Sequence, residues 1–524
     1  MTQTVGRLLS FLLLLLAAMF AFQRAQEPEY IGIDFVQFHL TGQHVVHGGD
    51  PHVYSDKVRR EILERAWQEV QTEGIESKFY QAVNFRHERS WESYSSPFLY
   101  SVFGAVAGIS ESEAVRSHKS LEAPSSGLSA TFSPYSGEKG RSEVYERAIN
   151  RYWIVCLGST MIGFITFGWV LRIPGWSMLF GAVILVWFSP LRIDMNVANV
   201  DQIQLGMVGV LAAIVGRGCH RAVRGIDPTD DRSEREVAIQ RAHHAERDGY
   251  FVRQFLARGW LGMCLAFKPS LLWCGVMWLG PVAIGLWNIK WHDAVCDQHD
   301  RRQLIAALIG GFLGGIIAVA FSTIWFPLHV WIEWIQAVRL LPDEIMQTHQ
   351  GNFSPTYYAR SCGVPGWLTS LAGTALAGVV MFVMRDQHRH RMDGTSQETR
   401  STDNAMWLAI GCQIHLLTSN LVWYQYCVLS LPAVLVVLRE VACTSSRRDA
   451  IFLCGMLLWC LLLLGFQPVD DLVASPSVEH MWRCTIANTI LLILIVVIPK
   501  ANAEVTGREQ SSIAEKYSRT ATLT

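Results

Sequence analysis

Residues 8–22 read LLSFLLLLLAAMFAF, an apolar run that follows Arg7. A run of this kind is typical of a membrane-spanning helix, and similar runs recur from one end of the 524-residue chain to the other. Half of the residues are hydrophobic and only 17% are charged, which excludes an ordinary soluble protein of this size. The sequence therefore predicts an all-α, polytopic membrane helix bundle.

The first apolar run has two interpretations. Its length also suits the hydrophobic region of a signal peptide, but the many apolar runs downstream favour an uncleaved first helix. Under either interpretation, the segment that follows is delivered across the membrane.

Recurring apolar windows indicate about 10 to 12 transmembrane helices. The windows are 8–23, 95–110, 151–171, 174–190, 203–217, 259–287, 304–326, 366–384, 404–420, 423–438, 450–466 and 483–499. The Arg-containing connections 217–258, 385–403 and 439–449 are expected to be cytoplasmic, because cytoplasmic loops carry an excess of Lys and Arg. Alternation then places segments 24–94 and 327–365 on the outward face.

Simple alternation fails in the middle of the chain. Counting 174–190, 203–217 and 259–287 as one span each would put an Arg-rich loop outside. A half-helix, a re-entrant turn or a split pair would remove this conflict. Lys268-Pro269, within a long apolar run, is the expected break point.

Composition also defines the segments outside the bundle. The transmembrane domain is assigned to residues 1–500; segment 111–150 is expected to be a flexible cytoplasmic insertion, and 501–524 a disordered cytoplasmic tail. Charges lie in blocks between apolar runs, so no nucleic-acid partner is predicted. Most cysteines lie in apolar runs without ligand spacing, so neither a disulfide framework nor a metal cofactor is predicted.

The first outward segment contains Asp34–Tyr54, DFVQFHLTGQHVVHGGDPHVY. Its apolar spacing predicts a helix that the Gly-Gly-Asp-Pro sequence stops, and a second amphipathic helix is expected over 56–70. Both helices are expected to lie on the outer membrane surface, with Asp34 at the bilayer edge. An N-cap is the alternative role for Asp34, whereas Asp50 is expected to be a turn residue.

Several separated motifs occur in a characteristic order between about residues 30 and 440. They are DFxxF with GGDPxxY (Asp34–Tyr54), YSSPF (Tyr94–Phe98), NVDQ (Asn199–Gln202), GWLGMCLAFKP (Gly259–Pro269), GNFS with a following Arg (Gly351–Ser354, Arg360) and SNLVWYQY (Ser419–Tyr426). In this order the chain resembles the polyprenyl-phosphate-dependent glycosyltransferases of family 87, related to mycobacterial mannosyltransferases. In the last motif, Asn420, Tyr424 and Gln425 stand where relatives tend to have Pro, an acid and His.

The resemblance implies a GT-C architecture with an outward-facing active site, in a bacterial cytoplasmic membrane. It implies inverting transfer of a hexose, with mannose as the family's sugar, from a polyprenyl-phosphate donor to a lipid or glycan acceptor, with no cofactor. Asp34 is then the expected general base for the acceptor hydroxyl. A phosphate leaving group needs no general acid, so one carboxylate suffices.

Four polar residues are predicted to bind the donor. Lys268 is expected to face the donor phosphate, because a lysine within an apolar run is costly, although snorkelling to an interface is its alternative role. His349, Asn352 and Arg360 are expected to contact phosphate or sugar. For His349, a plain surface histidine is an equal interpretation.

Two further groups complete the predicted site. Gln202, with Asn199 and Asp201 beside it, is expected to contact sugar hydroxyls, or to belong to a plain loop. Trp423 and Tyr426 are expected to stack on a sugar ring or to line a lipid groove. Aromatic residues are also enriched at membrane interfaces, which is their alternative role.

A transporter or lipid-linked-sugar flippase is the alternative function. Transporters commonly show internal repeats with broken helices in matching halves, and the sequence shows no such repeat. The ordered motifs therefore favour the transferase.

Overall fold

The described part of the chain is helical. The structure, a computed structural model, describes residues 2–71, 74–89, 94–106, 140–216, 252–288, 294–339, 352–392, 397–419, 421–465 and 479–497. No residue within these ranges belongs to a β-strand, so the all-α prediction is confirmed there. The first helices are α1 (Thr2–Ala25), α2 (Ile33–Val46), α3 (Asp56–Val70), α4 (Lys78–Arg89), α5 (Pro97–Val106), α6 (Gly140–Val170), α7 (Gly175–Trp187), α8 (Ser189–Val197) and α9 (Asp201–Gly216). The later helices are α10 (252–267), α11 (Leu272–Asn288), α12 (Ala294–Ser322), α13 (His329–Arg339), α14 (Pro355–Ser361), α15 (Gly366–Met392), α16 (Gln397–Thr418), α17 (Leu431–Cys443), α18 (Arg447–Gly465) and α19 (Glu479–Val497).

Six stretches of the described helices are long and apolar enough to cross a membrane. They are Gln3–Ala25, Ser142–Val170, Gly366–Met384, Tyr424–Cys443, Arg447–Gly465 and Glu479–Val497. The pair α7 and α8, bent by 48°, passes the same test as a seventh. The chain is therefore a multi-pass helical membrane protein.

The outer surface of the bundle is suited to lipid. Phe312, Phe382 and Trp187 are between 70% and 75% exposed, and Leu16 and Phe452 are also exposed. A water-soluble monomer would not display so many large apolar side chains. These faces are the ones that hydrocarbon would cover.

Two interruptions lie in the region where simple alternation fails. The first is the bend between α7 and α8. At the second, α10 ends and Lys268 adopts an extended conformation, with φ of −151° and ψ of 116°, before a 3-10 turn at Pro269–Leu271. Proline excludes helical geometry for the residue before it and lacks an N–H donor, so the predicted break at Lys268-Pro269 is confirmed.

Both helices predicted in the first outward segment are present, but they differ in environment. On α3 the buried positions are Val58, Ile62, Ala66 and Val70, which form the predicted amphipathic stripe. Helix α2 is buried along nearly its whole length, including polar side chains, so it lies inside the protein rather than on its surface. A third helix, α4, was not predicted, because segment 74–89 has few apolar residues.

Helix α6 starts earlier than its apolar run. It begins at Gly140, so the last part of segment 111–150 is helical, while 111–139 lies outside the described residues. Tyr145, Ala148 and Ile149 are at most 1% exposed and have helical spacing. The first residues of α6 pack against α4, and this contact stabilises helical structure in a segment whose overall composition is polar. The tail 501–524 and most of 217–258 also lie outside the described residues.

Candidate functional site

Asp34 lies in the first turn of α2, a few residues beyond the first membrane-spanning helix. Gly32 is the N-cap, with φ of +72°, and no described side chain caps this helix, so the alternative role of Asp34 as N-cap is wrong. A Cβ atom on Gly32 would lie only 2.2 Å from Cδ1 of Ile149. The start of α2 is therefore fixed by close packing against α6.

Asp34 forms an ion pair with Arg86 of α4. The Arg86 guanidinium donates to Oδ1 of Asp34 at 2.6 Å, and its Nε donates to the carbonyl oxygen of Ile33 at 3.0 Å. The Arg86 side chain is 9% exposed and the Asp34 side chain is 19% exposed. The carboxylate is thus oriented and charge-balanced, and part of it remains accessible to a ligand.

A second group of polar side chains lies between α8, α9, α10 and α16. We call Asp194, Asp201, Lys268, His415 and Tyr426 the Lys268 cluster. The Lys268 ammonium lies 2.9 Å from Oδ1 of Asp201 and 4.2 Å from the centre of the Tyr426 ring. The Asp201 side chain is 1% exposed, so the charge of Lys268 is balanced by a buried carboxylate.

A second buried carboxyl group, that of Asp194, lies beside Asp201. Asp194 is 1% exposed and lies close enough to Asp201 for the two side chains to interact. The amide of Gln202 donates to Oδ2 of Asp194 at 3.3 Å, and the ammonium of Lys268 donates to Oδ1 of Asp201 at 2.9 Å. Buried ionised groups are costly unless they are paired, so these contacts stabilise the two buried carboxyl groups.

His415 contributes an imidazole to the same cluster. Its Nδ1 lies 2.6 Å from the hydroxyl oxygen of Ser419, and its ring stacks on Tyr426 with centres 6.3 Å apart. Nε2 is buried and has no hydrogen-bond partner among the residues described. One imidazole nitrogen of His415 therefore has no partner within the part of the chain that the structure describes.

Asp34 and the Lys268 cluster belong to one region of the molecule. Asp34 is near enough to Tyr426 to act on it electrostatically. The amide of Gly32 donates to the carbonyl oxygen of Asn196 at 3.1 Å, which ties the start of α2 to the end of α8. The amide of Gln202 also donates to Asp194 of this cluster, so the structure brings together four of the predicted site residues, Asp34, Gln202, Lys268 and Tyr426.

The side chains of Asn352 and Gln202 both make hydrogen bonds within the protein. Oδ1 of Asn352 accepts from the amides of Ser354 and Val422, both at 3.0 Å, and so joins two segments of backbone. The Gln202 side chain accepts from the hydroxyl of Thr160 at 2.8 Å. These contacts account for both residues without a substrate.

Three predicted residues remain. Arg360, on α14, is partly buried, and its guanidinium lies next to Gly366: a Cβ atom added to that glycine would be 3.5 Å from it. Trp423 is partly buried and packs against the main apolar core. His349 lies outside the described residues.

A cavity of about 230 Å³ lies between α1, α6 and the bend of α7 and α8. Phe20 and Trp187 line it and are 62% and 75% exposed, so the cavity opens on the lipid-facing side of the bundle. Arg24, Arg192 and Gln202 supply polar groups to a wall that is otherwise mainly apolar. Nε of Arg192 is buried and lacks a hydrogen-bond partner within the described part of the chain.

Some site residues were missed by sequence reasoning. The signal for Arg86 is its helical spacing from Phe79 and Val83, which is too short a pattern to predict α4 without the neighbouring helix that covers it. Asp194 and His415 are polar residues within or beside apolar stretches, which is the signal that selected Lys268. Arg192, on the same helix as Asp194, carries the same signal.

The chain was compared with protein-family models, with curated proteins and with solved structures, and none of them matches it. The resemblance to glycosyltransferase family 87 therefore stays a prediction from the motifs.

Proposed function

We propose that the protein is a membrane glycosyltransferase that moves a hexose, mannose by its motifs, from a polyprenyl-phosphate sugar to a lipid or glycan acceptor. The reaction takes place on the outward face, with inversion at the anomeric carbon and Asp34 as general base. The observation that carries the proposal is the partly exposed carboxylate of Asp34, held by Arg86 directly after the first membrane-spanning helix.

The proposed chemistry needs a single proton acceptor. The acceptor hydroxyl attacks the anomeric carbon and gives its proton to Asp34, while the bond from that carbon to the phosphate oxygen breaks. Polyprenyl phosphate leaves with the electron pair of the broken bond, and its charge requires cationic or amide donors nearby. Arg86 orients the carboxylate with two hydrogen bonds, one to the side chain of Asp34 and one to the backbone carbonyl oxygen of Ile33.

The cavity between α1, α6 and the α7–α8 bend is the proposed donor groove. Its apolar wall and lipid-facing mouth suit a prenyl chain that arrives from the bilayer. Arg192 is the proposed phosphate ligand, since a buried guanidinium nitrogen without a partner among the described residues is satisfied by an anion. Arg24, which pairs with Glu27 at 3.7 Å, adds a second positive charge to the same cavity. Lys268, already paired with Asp201, is better suited to holding the carboxyl cluster in place.

The finer architecture belongs to the same proposal. Within the described residues, four shorter apolar helices add to the six or seven longer spans to make 10 or 11, which is compatible with a GT-C bundle of about 10 to 12 transmembrane helices. The shorter helices are Pro97–Val106, Asp201–Val215, Pro269–Gly280 and Leu308–Ser322. The bundle is proposed to lie in a bacterial cytoplasmic membrane, with segment 24–94 outside.

The donor class is tested with purified protein in liposomes. We expect transfer from polyprenyl-phosphate mannose to a lipid-extract acceptor, and no transfer from a nucleotide sugar. Arg192→Gln should raise the KM for the lipid donor at least about tenfold, which corresponds to the loss of one charge-assisted hydrogen bond of about 1.4 kcal/mol or more. Arg65→Gln, which removes an exposed guanidinium paired with Glu61, is the control and should leave the KM unchanged. Full activity with the nucleotide sugar would rule out the proposal.

A transporter is the second candidate, and the Lys268 cluster is the observation that favours it. Two buried carboxyls around one lysine, next to two broken helices, are typical of ion-coupled transport sites. Proteoliposomes containing wild type and Asp194→Asn distinguish the candidates. Proton-dependent movement of a lipid-linked sugar or a solute that the variant abolishes would support transport, whereas unchanged flux with intact sugar transfer would support the transferase.

A further inference from the structure

Three metal-binding side chains meet on the outward segments. His52 lies in the turn between α2 and α3, and His329 and Glu333 lie one helical turn apart on α13. Nδ1 of His52 is 2.6 Å from Oε1 of Glu333, and Nε2 of His329 is 3.9 Å from the same oxygen. One donor atom from each residue lies within 4.8 Å of the other two.

The ligand atoms need only small movements to bind one ion. Around a tetrahedral Zn²⁺, donors at about 2.1 Å from the metal are about 3.4 Å from one another. The His52–Glu333 pair would open slightly and the longest separation would close by roughly 1.4 Å, both within the reach of side-chain rotation. The two histidine rings are already neighbours, with centres 5.0 Å apart and planes tilted by 31°.

Each ligand is next to an anchored residue in sequence. Val53 and Val330 are fully buried in one apolar core that also contains Trp334. The indole N–H of Trp334 donates to the carbonyl oxygen of Tyr94 at 3.0 Å. The Tyr54 hydroxyl donates to the carbonyl oxygen of Ser95 at 2.6 Å. The backbone that presents the three ligands is therefore fixed on both sides.

The side chains themselves remain open to an ion from solution. His52 and His329 are 46% and 53% exposed, and Glu333 is 29% exposed. Their contacts with one another are thus neither buried nor dependent on a closed cavity. Exposed pairs of this kind contribute little stability by themselves, so their convergence from distant parts of the chain is not explained by an ion pair alone.

We infer that His52, His329 and Glu333 form a binding site for a divalent transition-metal ion, with Zn²⁺ the preferred ion. Two imidazoles and one carboxylate are a zinc ligand set, and three protein ligands leave a fourth position for water or an incoming ligand. The ion would join the turn after α2 to α13 and so hold together the two outward segments that flank the bundle. This site could not be predicted from the sequence, because His52 and Glu333 are 281 positions apart.

The site is tested on the full-length protein, purified through an affinity tag without histidine and stripped with EDTA. Equilibrium dialysis against Zn²⁺ should show one tightly bound ion for each chain, and Co²⁺ should give the visible absorption bands of a four-coordinate complex. His329→Ala and Glu333→Gln should each weaken Zn²⁺ binding at least about a hundredfold, since changes in the outer shell of zinc sites alone cost about 10- to 100-fold. His47→Ala, at an exposed histidine of the same outward segment, is the matched control and should bind like wild type.

A second variant separates metal binding from folding. His52→Cys places a thiolate close to the position of Nδ1, because both atoms lie within two bonds of Cβ, so it should retain Zn²⁺ and change the Co²⁺ spectrum. His52→Ala should lose the ion while keeping the wild-type unfolding midpoint in EDTA. Equal Zn²⁺ binding by wild type and His329→Ala, or no bound Zn²⁺ in folded wild type, would overturn the inference. Neither result depends on sugar transfer, so the site and the proposed function can fail separately.

Discussion

Replacement of Arg86 by methionine tests the environment of Asp34. The change keeps the apolar stem of the side chain but removes the guanidinium that contacts the carboxylate at 2.6 Å. The side chains are only 9% and 19% exposed, so the loss leaves a mostly buried carboxylate without its counter-ion. Removing one partner of a buried pair costs about 3–5 kcal/mol, and the partial exposure of Asp34 places the expected loss near the lower limit.

The matched control is Arg65→Met. Arg65 pairs with Glu61 at 3.0 Å on the surface of α3, with side chains 57% and 47% exposed. Exposed pairs contribute about 0–1 kcal/mol, so this variant should unfold like wild type. The comparison removes the same chemical group from two different environments.

The assay is equilibrium unfolding in mixed detergent with increasing SDS, followed by tryptophan fluorescence. Arg86→Met should lose about 3 kcal/mol, and the double variant Asp34→Asn/Arg86→Met should recover about 1–2 kcal/mol of that loss, because no unpaired charge remains. Equal unfolding free energies for Arg86→Met and Arg65→Met would refute the buried ion pair.

Two further substitutions test the close packing at Gly32 and the burial of Lys78. Gly32→Ala should destabilise the protein for two reasons: alanine disfavours the left-handed backbone, at a cost of about 1–2 kcal/mol, and its Cβ would lie 2.2 Å from Cδ1 of Ile149. Ile149→Val removes Cδ1, so in the same SDS titration the double variant should recover only the loss caused by this steric clash. Burial lowers the pKa of Lys78 from 10.5 to about 8, so between these values Lys78 holds more protons in the unfolded chain than in the folded protein. The unfolding free energy of wild type should therefore rise with pH relative to that of Lys78→Met, by at most about 3 kcal/mol, and an identical pH dependence of the two unfolding free energies would contradict the assigned burial.

The fold was predictable where hydrophobicity alone determines structure. The apolar runs predicted the bundle, and proline chemistry predicted the break at Lys268. The first residues of α6 and the whole of α4 were not predicted, since their few apolar residues become informative only when a neighbouring helix covers them. Helix α2 belongs to segment 24–94 and was expected to lie on the membrane surface, but the tertiary structure encloses it on nearly all sides.

The candidate site was predictable only in part, because sequence shows costly residues but not their partners. An aspartate after the first span and a lysine in an apolar run both stand out. Their partners, Arg86 and Asp201, are 52 and 67 positions away in the chain. For that reason the sequence assigned Lys268 to a phosphate, whereas in the structure its ammonium contacts a carboxylate.

Sugar transfer by Asp34→Asn in liposomes, with polyprenyl-phosphate mannose and a lipid-extract acceptor, tests the role of Asp34 most directly. We expect a loss of about 10²- to 10⁴-fold relative to wild type, the usual contribution of a general base. Asp56→Asn, at an exposed carboxylate of segment 24–94, should transfer at the wild-type rate. Equal rates for wild type and Asp34→Asn, with both proteins folded, would contradict the assignment of Asp34 as the base.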